Sequence, residues 1–183
     1  MKRLGFAAAI SAIVLTLAAG GAAAPAATSP TLITAPGLAP EGELVRVLCQ
    51  RINLQVTYDP LAEPKDLAKY KTVMIIIGGS GKGLGAAGID VQEELRRAEA
   101  LLAEAKRLKL VIIGIHTGGE DRRGPTSAKF IELVAPKVNF LIVRADGNKD
   151  GLFTKLAKDG NIPLTVIQQT LELTDVLKKL YGI

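Results

Sequence analysis

The chain has 183 residues, of which 48% are hydrophobic and 4% aromatic, with no tryptophan and a formal net charge of +5. Lys2 and Arg3 sit in an N-terminal leader without acids; setting them aside leaves 21 basic residues against 18 acidic ones, a net +3 that is too mild to argue for nucleic acid. The scarcity of aromatics also excludes stacking platforms for single strands, and the single cysteine, Cys49, excludes an intrachain disulfide.

Lys2 and Arg3 precede the apolar run Leu4–Ala19, and small residues continue to Ala27. This is the plan of a secretory signal peptide over residues 1–27, with cleavage expected near Ala23 or at Ala26–Ala27 because Pro25 bars a cut directly before it. The run is short for a span and lacks a stop-transfer flank, so no stable membrane span is expected after cleavage, and the product is exported to the periplasm or beyond. No cysteine follows the run to carry lipid. Residues 28–183 are read as one domain, long enough for a hydrophobic core without a disulfide.

Thr31–Thr34 is a short apolar strand. A helix over Glu41–Arg51 follows Pro40, with Leu44, Val45, Leu48, Cys49 and Ile52 on one face and Asn53 as its C-cap. Cys49 is read as a small core residue. Leu54–Tyr58 alternates apolar and polar, as an edge strand does. Pro60 and Pro64 mark a connector with a short helix around Lys65–Lys69. The strand Val73–Ile77 runs into a stretch in which six of the eleven residues Gly78–Gly88 are glycine.

Asp90 and Glu93 form a capping box for a helix reaching about Leu108, with an apolar stripe of Val91, Leu95, Ala98, Leu102 and Ala105. Leu110–Ile115 is another continuous apolar strand. Thr126 or Ser127 caps a helix ending near Val134. The strand Phe140–Val143, the helix Leu152–Lys158, the strand Leu164–Ile167 and the helix Glu172–Tyr181 complete the chain. Continuous apolar strands alternating with helices predict an α/β three-layer sandwich around a mostly parallel six-stranded sheet, flavodoxin- or Rossmann-like. The alternating second strand suits an edge, which favours order 2-1-3-4-5-6 over 3-2-1-4-5-6. Ligands of such sheets bind off the strands' carboxyl ends at the switch point, here at Ala35–Pro40 and Gly78–Gly88.

The glycine stretch fits none of the named phosphate or catalytic loops. A Walker A loop fails because Ile76 stands at the first glycine position and Gly83 follows Gly81-Lys82. A nucleophile elbow around Ser80 fails at Lys82. Gly83, Gly85 and Gly88 form a G-x-G-x-x-G that begins too far past the strand, and the next strand ends without an acid, so the dinucleotide fingerprint fails as well. What remains is a backbone-rich loop, Gly79, Ser80, Gly81, Lys82 and Gly83, able to present amides, a hydroxyl and an ammonium to an anion.

His116, the only histidine, stands at the end of the fourth strand, either as a hydrogen-bonded structural residue or as a site residue. No metal site is read through it, since no second histidine or cysteine is placed to help. Arg122 and Arg123 in the following glycine-flanked loop offer a fork to a carboxylate or phosphate, or pair with Glu120 and Asp121. Asp146, Asn148 and Asp150 match the first half of a calcium loop, but Ala157 stands where its bidentate glutamate belongs, so a capped turn is the favoured reading.

Taken together, the segments IIIGGSGKGLGAAGID, HTGGEDRRG and GNKDGLFTKLA with NIPL resemble an uncharacterised domain-of-unknown-function family of small exported bacterial proteins. The resemblance implies an exported α/β domain and carries over no catalytic residues. The residues themselves favour a binding domain for a small anionic or polar ligand at the sheet's carboxyl edge, through Gly79–Gly83, His116, Arg122 and Arg123, with Asp146 and Asn148 further out. Two other readings stay open: a hydrolase or transferase using His116 on a phosphorylated or carboxylated metabolite, and an interaction module of the cell envelope. No cofactor is required by the sequence, and oligomeric state is not legible in it.

Overall fold

The computed structural model describes residues 26–183. All of the expected signal peptide except Ala26 and Ala27 lies outside the described residues. Six strands, β1 (Thr31–Thr34), β2 (Val56–Tyr58), β3 (Thr72–Ile76), β4 (Val111–His116), β5 (Phe140–Arg144) and β6 (Leu164–Ile167), alternate with helices. The helices are α1 (Glu41–Arg51), α2 (Gly81–Ala87), α3 (Val91–Arg107), α4 (Pro125–Val134), α5 (Leu152–Asp159) and α6 (Leu173–Tyr181). Short 3₁₀ turns at Pro64–Lys69, Gly119–Arg122 and Ala145–Asn148 sit between them.

Every strand pairing is parallel and the order is β2-β1-β3-β4-β5-β6. This is the expected three-layer Rossmann-like sandwich. β3 is buried at all five positions, and its side chains divide between two cores. Val73 and Ile75 face α3, α4 and α5, in a core with Leu101, Leu102, Ile131 and Phe153. Met74 and Ile76 face α1 and α6, with Val45, Cys49, Leu173 and Leu177. A strand covered on both faces must be apolar throughout, and each buried isoleucine or leucine contributes roughly 1.5–3 kcal/mol.

Asp90 caps α3 by accepting the amide protons of Gln92 and Glu93 at 2.8 and 3.2 Å, and Asn53 takes a positive φ of 56° just past α1. Two helix faces differ from the expected ones. In α1 Val45, Leu48 and Cys49 are buried as expected, whereas Leu44 is nearly half exposed. In α3 the buried stripe is Glu94, Ala98, Leu101, Leu102 and Ala105, with a carboxylate where apolar Leu95 was expected. No helix among the described residues is long and apolar enough to cross a membrane.

The Ala27 side chain is buried and its amide donates to Leu180 O at 2.9 Å, while Thr28 and Thr72 exchange hydrogen bonds.

Candidate functional site

The glycine stretch is a four-residue turn, 77–80, followed directly by α2, rather than a long loop ending at Asp90. Ser80 makes the helix possible by capping it: Gly83 donates its amide proton to Ser80 Oγ at 3.0 Å. Gly88 ends it in the left-handed region with φ 66°, so Gly83, Gly85 and Gly88 are helix positions and a C-cap. Gly79 donates to Ser127 Oγ at 3.0 Å, and that hydroxyl donates back to Gly79 O at 3.1 Å. Ser127 therefore ties α4 to the turn instead of capping α4. Ser80 N–H donates to Gly37 O at 2.8 Å, and a methyl group on Gly37 would come within 2.4 Å of Gly78 O. Backbone thus closes the switch point between β1 and β3, and the polar groups of Gly79, Ser80 and Gly83 serve the fold. Gly81 and Lys82 are exposed at the start of α2.

His116 is fully buried, tilted against the Phe153 ring with centroids 4.8 Å apart. Its Nδ1 lies 2.9 Å from Ile77 O and its Nε2 3.3 Å from Gly119 O. Burial holds the ring below the usual imidazole range. A neutral ring donates through one nitrogen, and the shorter contact assigns the proton to Nδ1. Through Nδ1–H, His116 ties Ile77, just past β3, to the end of β4.

That loop explains the His-Thr-Gly-Gly spacing. Gly118 and Gly119 pass between two ion pairs: Arg122 Nε with Glu41 Oε1 at 2.7 Å, and Arg144 with Asp146 through two contacts of 2.6 Å. A methyl group on Gly118 would lie 2.1 Å from Arg122 Cγ, and one on Gly119, with φ 62°, would lie 2.1 Å from an Arg144 nitrogen. A side chain at either position would have to displace these ion pairs, and at Gly119 it would also meet a positive φ. The Arg144 guanidinium holds the Asp146 carboxyl below its usual range, and Asp146 in turn raises Arg144.

The adjacent arginines diverge. Arg122 reaches α1, whereas Arg123 crosses the Phe153 ring to Asp150 Oδ1 and Oδ2, at 3.0 and 2.6 Å, and to Gly147 O. Their partners are Glu41 and Asp150, not the neighbouring Glu120 and Asp121, so no common fork forms. The D-x-N-x-D turn is a junction of separate bonds: Asp146 to Arg144, Asp150 to Arg123, and Asn148 capping α5 by accepting the Phe153 amide at 2.9 Å. Lys149 pairs with Glu120 at 2.6 Å, and Glu120, Arg123, Lys149 and Asp150 border a shallow cavity of about 240 Å³.

Two residues outside the expected set complete this edge. Glu94, 2% exposed, joins Arg97 through contacts of 2.6 and 2.8 Å and accepts the Gly37 amide at 3.0 Å. Arg97 also donates to Pro60 O and Ala62 O, so this pair locks the loops after β1 and β2 together. Its i, i+3 spacing was visible, but not its burial. The second is Thr117, buried at 2% exposure, whose Oγ1 is the one enclosed side-chain oxygen or nitrogen among the described residues without a hydrogen-bond partner. His116 and Val143 close the β4–β5 pairing, and Thr117 follows directly, one residue before the Gly118–Gly119 passage. Around the Gly118–Gly119 passage the structure therefore gathers the start of α1, Thr117, Arg122 and Arg144.

The remaining nucleophile candidate is inaccessible: Cys49 is buried, and burial pushes its thiol up to about 12.

The sheet order and this polar carboxyl edge define a Rossmann-like α/β domain. The chain belongs to the DUF6305 family, a domain of unknown function, whose match spans residues 28–181. Among curated proteins none matches the sequence. Similar solved structures include the TIR domains of the activated Roq1 resistosome recognising the pathogen effector XopQ, at 12% identity and TM-score 0.44, covering 82% of this chain and 98% of that one. The psychrotrophic esterase EstA from Pseudoalteromonas sp., inhibited by monoethylphosphonate, is 14% identical with TM-score 0.31, over 76% of this chain and 78% of its own. A mutant of the esterase AlinE4 is 13% identical with TM-score 0.32, over 75% and 76%. At these values the likenesses bear on no functional argument.

Proposed function

We propose that the chain is an exported binding domain for a small anionic or polar ligand, held at the carboxyl edge between the start of α1 and the loops after β4 and β5. The observation that carries this reading is the Thr117 hydroxyl, enclosed without a protein partner one residue before the Gly118–Gly119 passage that Arg122 and Arg144 border. A buried hydroxyl left unpaired costs stability, and a ligand oxygen would relieve that cost. Arg122 and Arg144 supply the charge; each is held by one carboxylate that an incoming anion can replace. Arg123 and Lys149 at the neighbouring cavity, and exposed Lys82, form the outer ring of cations. Binding is favoured over turnover because His116, Ser80 and Ser127 are all engaged in holding the backbone.

The test is a thermal-shift screen of inorganic phosphate, small dicarboxylates and sugar phosphates against the mature domain, since a ligand bound only by the folded state raises Tm by mass action. The positive compound is then repeated on Thr117→Val and on the double variant Lys82→Ala, Arg122→Ala. Both variants are expected to lose most of the shift. A shift undiminished in Thr117→Val removes the assignment of the site.

A further inference from the structure

We infer that the domain pairs with a second copy of itself along the outer edge of β6, the two strands running antiparallel about a two-fold axis at Thr165. β2 and β6 are the edges of the sheet. An unpaired edge invites another strand, and proteins discourage this with short strands, charges and prolines. β2 carries such guards: it spans three residues and runs straight into Asp59 and Pro60. The β6 edge lacks them where they would count. No side chain from Asn161 through Leu171 is charged, although 22% of the chain is, and Val166 is 43% exposed.

The register shows which backbone groups are left over. Leu141 pairs with Leu164, and its amide donates to Pro163 O at 2.9 Å. In a parallel ladder this turns the backbone groups of Pro163, Thr165 and Ile167 toward β5 and those of Leu164 and Val166 outward. Pro163 therefore lacks its N–H on the inner side and does not blunt the outer edge. The outer row ends at Gln168, whose amide donates to Glu172 Oε2 at 3.0 Å. What remains is symmetric about Thr165. In an antiparallel pair Leu164 of each copy meets Val166 of the other, and each such pair exchanges two hydrogen bonds.

The side chains obey the same symmetry. Leu164 packs on the core under α3, α4 and α5, and Ile167 lies in the core under α1 and α6. Alternation puts Val166 with Leu164 and Thr165 with Ile167. About the axis, half-buried Leu164 covers the exposed Val166 of the other copy, and the two exposed Thr165 side chains meet as a favourable cross-strand pair. The antiparallel order also sets Gln168–Leu171 of one copy toward Asn161 and Ile162 of the other. A two-fold axis turns any net charge in such a stretch against itself, so neutrality over its whole length suits a second copy as the occupant.

The interface is small and its association weak. The test is sedimentation of the mature domain from micromolar to millimolar concentration, with amide exchange of Leu164 and Val166 followed at both ends of that range. A doubling of mass, and slower exchange of those two amides at the high end, are expected. A monomer throughout, an assembly that grows beyond the dimer, or unchanged exchange overturns the inference. Thr165→Lys places two ammonium groups at the axis and is expected to stay monomeric, while Thr57→Lys on exposed β2 is expected to dimerise like the parent. A dimer that persists in Thr165→Lys, or is lost in Thr57→Lys, overturns β6 as the interface. Should Thr165→Lys fail to fold, the exchange of the parent's two amides decides alone.

Discussion

Replacing Thr117 by valine exchanges a hydroxyl for a methyl group in nearly the same volume. The side chain is enclosed and its oxygen has no partner among the described residues, so the folded state bears a desolvation cost that the unfolded chain does not. From protein substitutions that cost is roughly 1–3 kcal/mol. Some of it is offset wherever a water molecule reaches the hydroxyl, which sets the expectation for Thr117→Val at about 1 kcal/mol of added stability. In a domain of this size that is a rise in Tm of about 2–4 °C. With a urea slope of about 2 kcal/mol/M, the unfolding midpoint moves up by roughly 0.5 M. The assay is urea unfolding of the mature domain without ligand, compared at equal slope. A loss of about 1 kcal/mol or more would show that the hydroxyl has a strong partner in the ligand-free fold. It would also remove the observation on which the proposed site rests. Stabilisation together with loss of the ligand-induced shift is the combination the site requires.

Three further outcomes follow from the same edge. Arg97→Ala leaves the Glu94 carboxylate buried with only the Gly37 amide facing it, and a loss of about 3–5 kcal/mol is expected in urea unfolding; a loss below about 1 kcal/mol contradicts the locking role given to this pair. Gly119→Ala forces a side chain into a positive φ and onto the Arg144–Asp146 pair, so a loss of roughly 1–3 kcal/mol is expected, against a gain of up to about 1 kcal/mol for Ala at exposed, unobstructed Gly85 inside α2. For His116, burial lowers the folded ring's proton affinity, opposed by the Ile77 and Gly119 carbonyls and by Glu41, and assisted by Arg123. The unfolded ring takes its proton first as pH falls below about 6.5, so stability is level above neutral pH and declines as pH falls below it. His116→Gln should flatten that decline; an unchanged slope in the variant assigns it to other groups.

The layers of the fold were legible because burial leaves a signature on whole segments. β3 and β4 must be apolar on both faces, and alternation in 54–58 marked β2 as an edge, which was enough to order the sheet. The site was less legible because its groups meet across long stretches of chain: Arg122 and Glu41 are 81 residues apart, and no local spacing announces that pair. The glycine stretch misled in the opposite direction. Glycine is a poor helix former, yet the Ser80 cap and the burial of Leu84 suffice to wind Gly81–Ala87 into α2. Thr117 left no trace in the sequence, since a threonine at the end of an apolar strand is ordinary. For Glu94 the sequence shows only the i, i+3 spacing to Arg97; its place on the buried stripe with Ala98 and Leu102 emerges in the fold.

The composition of α2 also determines how that part of the edge moves. Gly81, Gly83 and Gly85 each weaken a helix by about 1 kcal/mol relative to alanine, and seven residues fall short of the roughly 12–15 that an isolated helix needs. Leu84 is its sole buried side chain. The segment is therefore its own small opening unit, fraying at a free energy well under that of global unfolding while β3 and β4 stay closed. Amide hydrogen exchange should be fast across Gly81–Gly88 and slow across Val73–Ile76, giving the carboxyl edge one pliable wall against a rigid one.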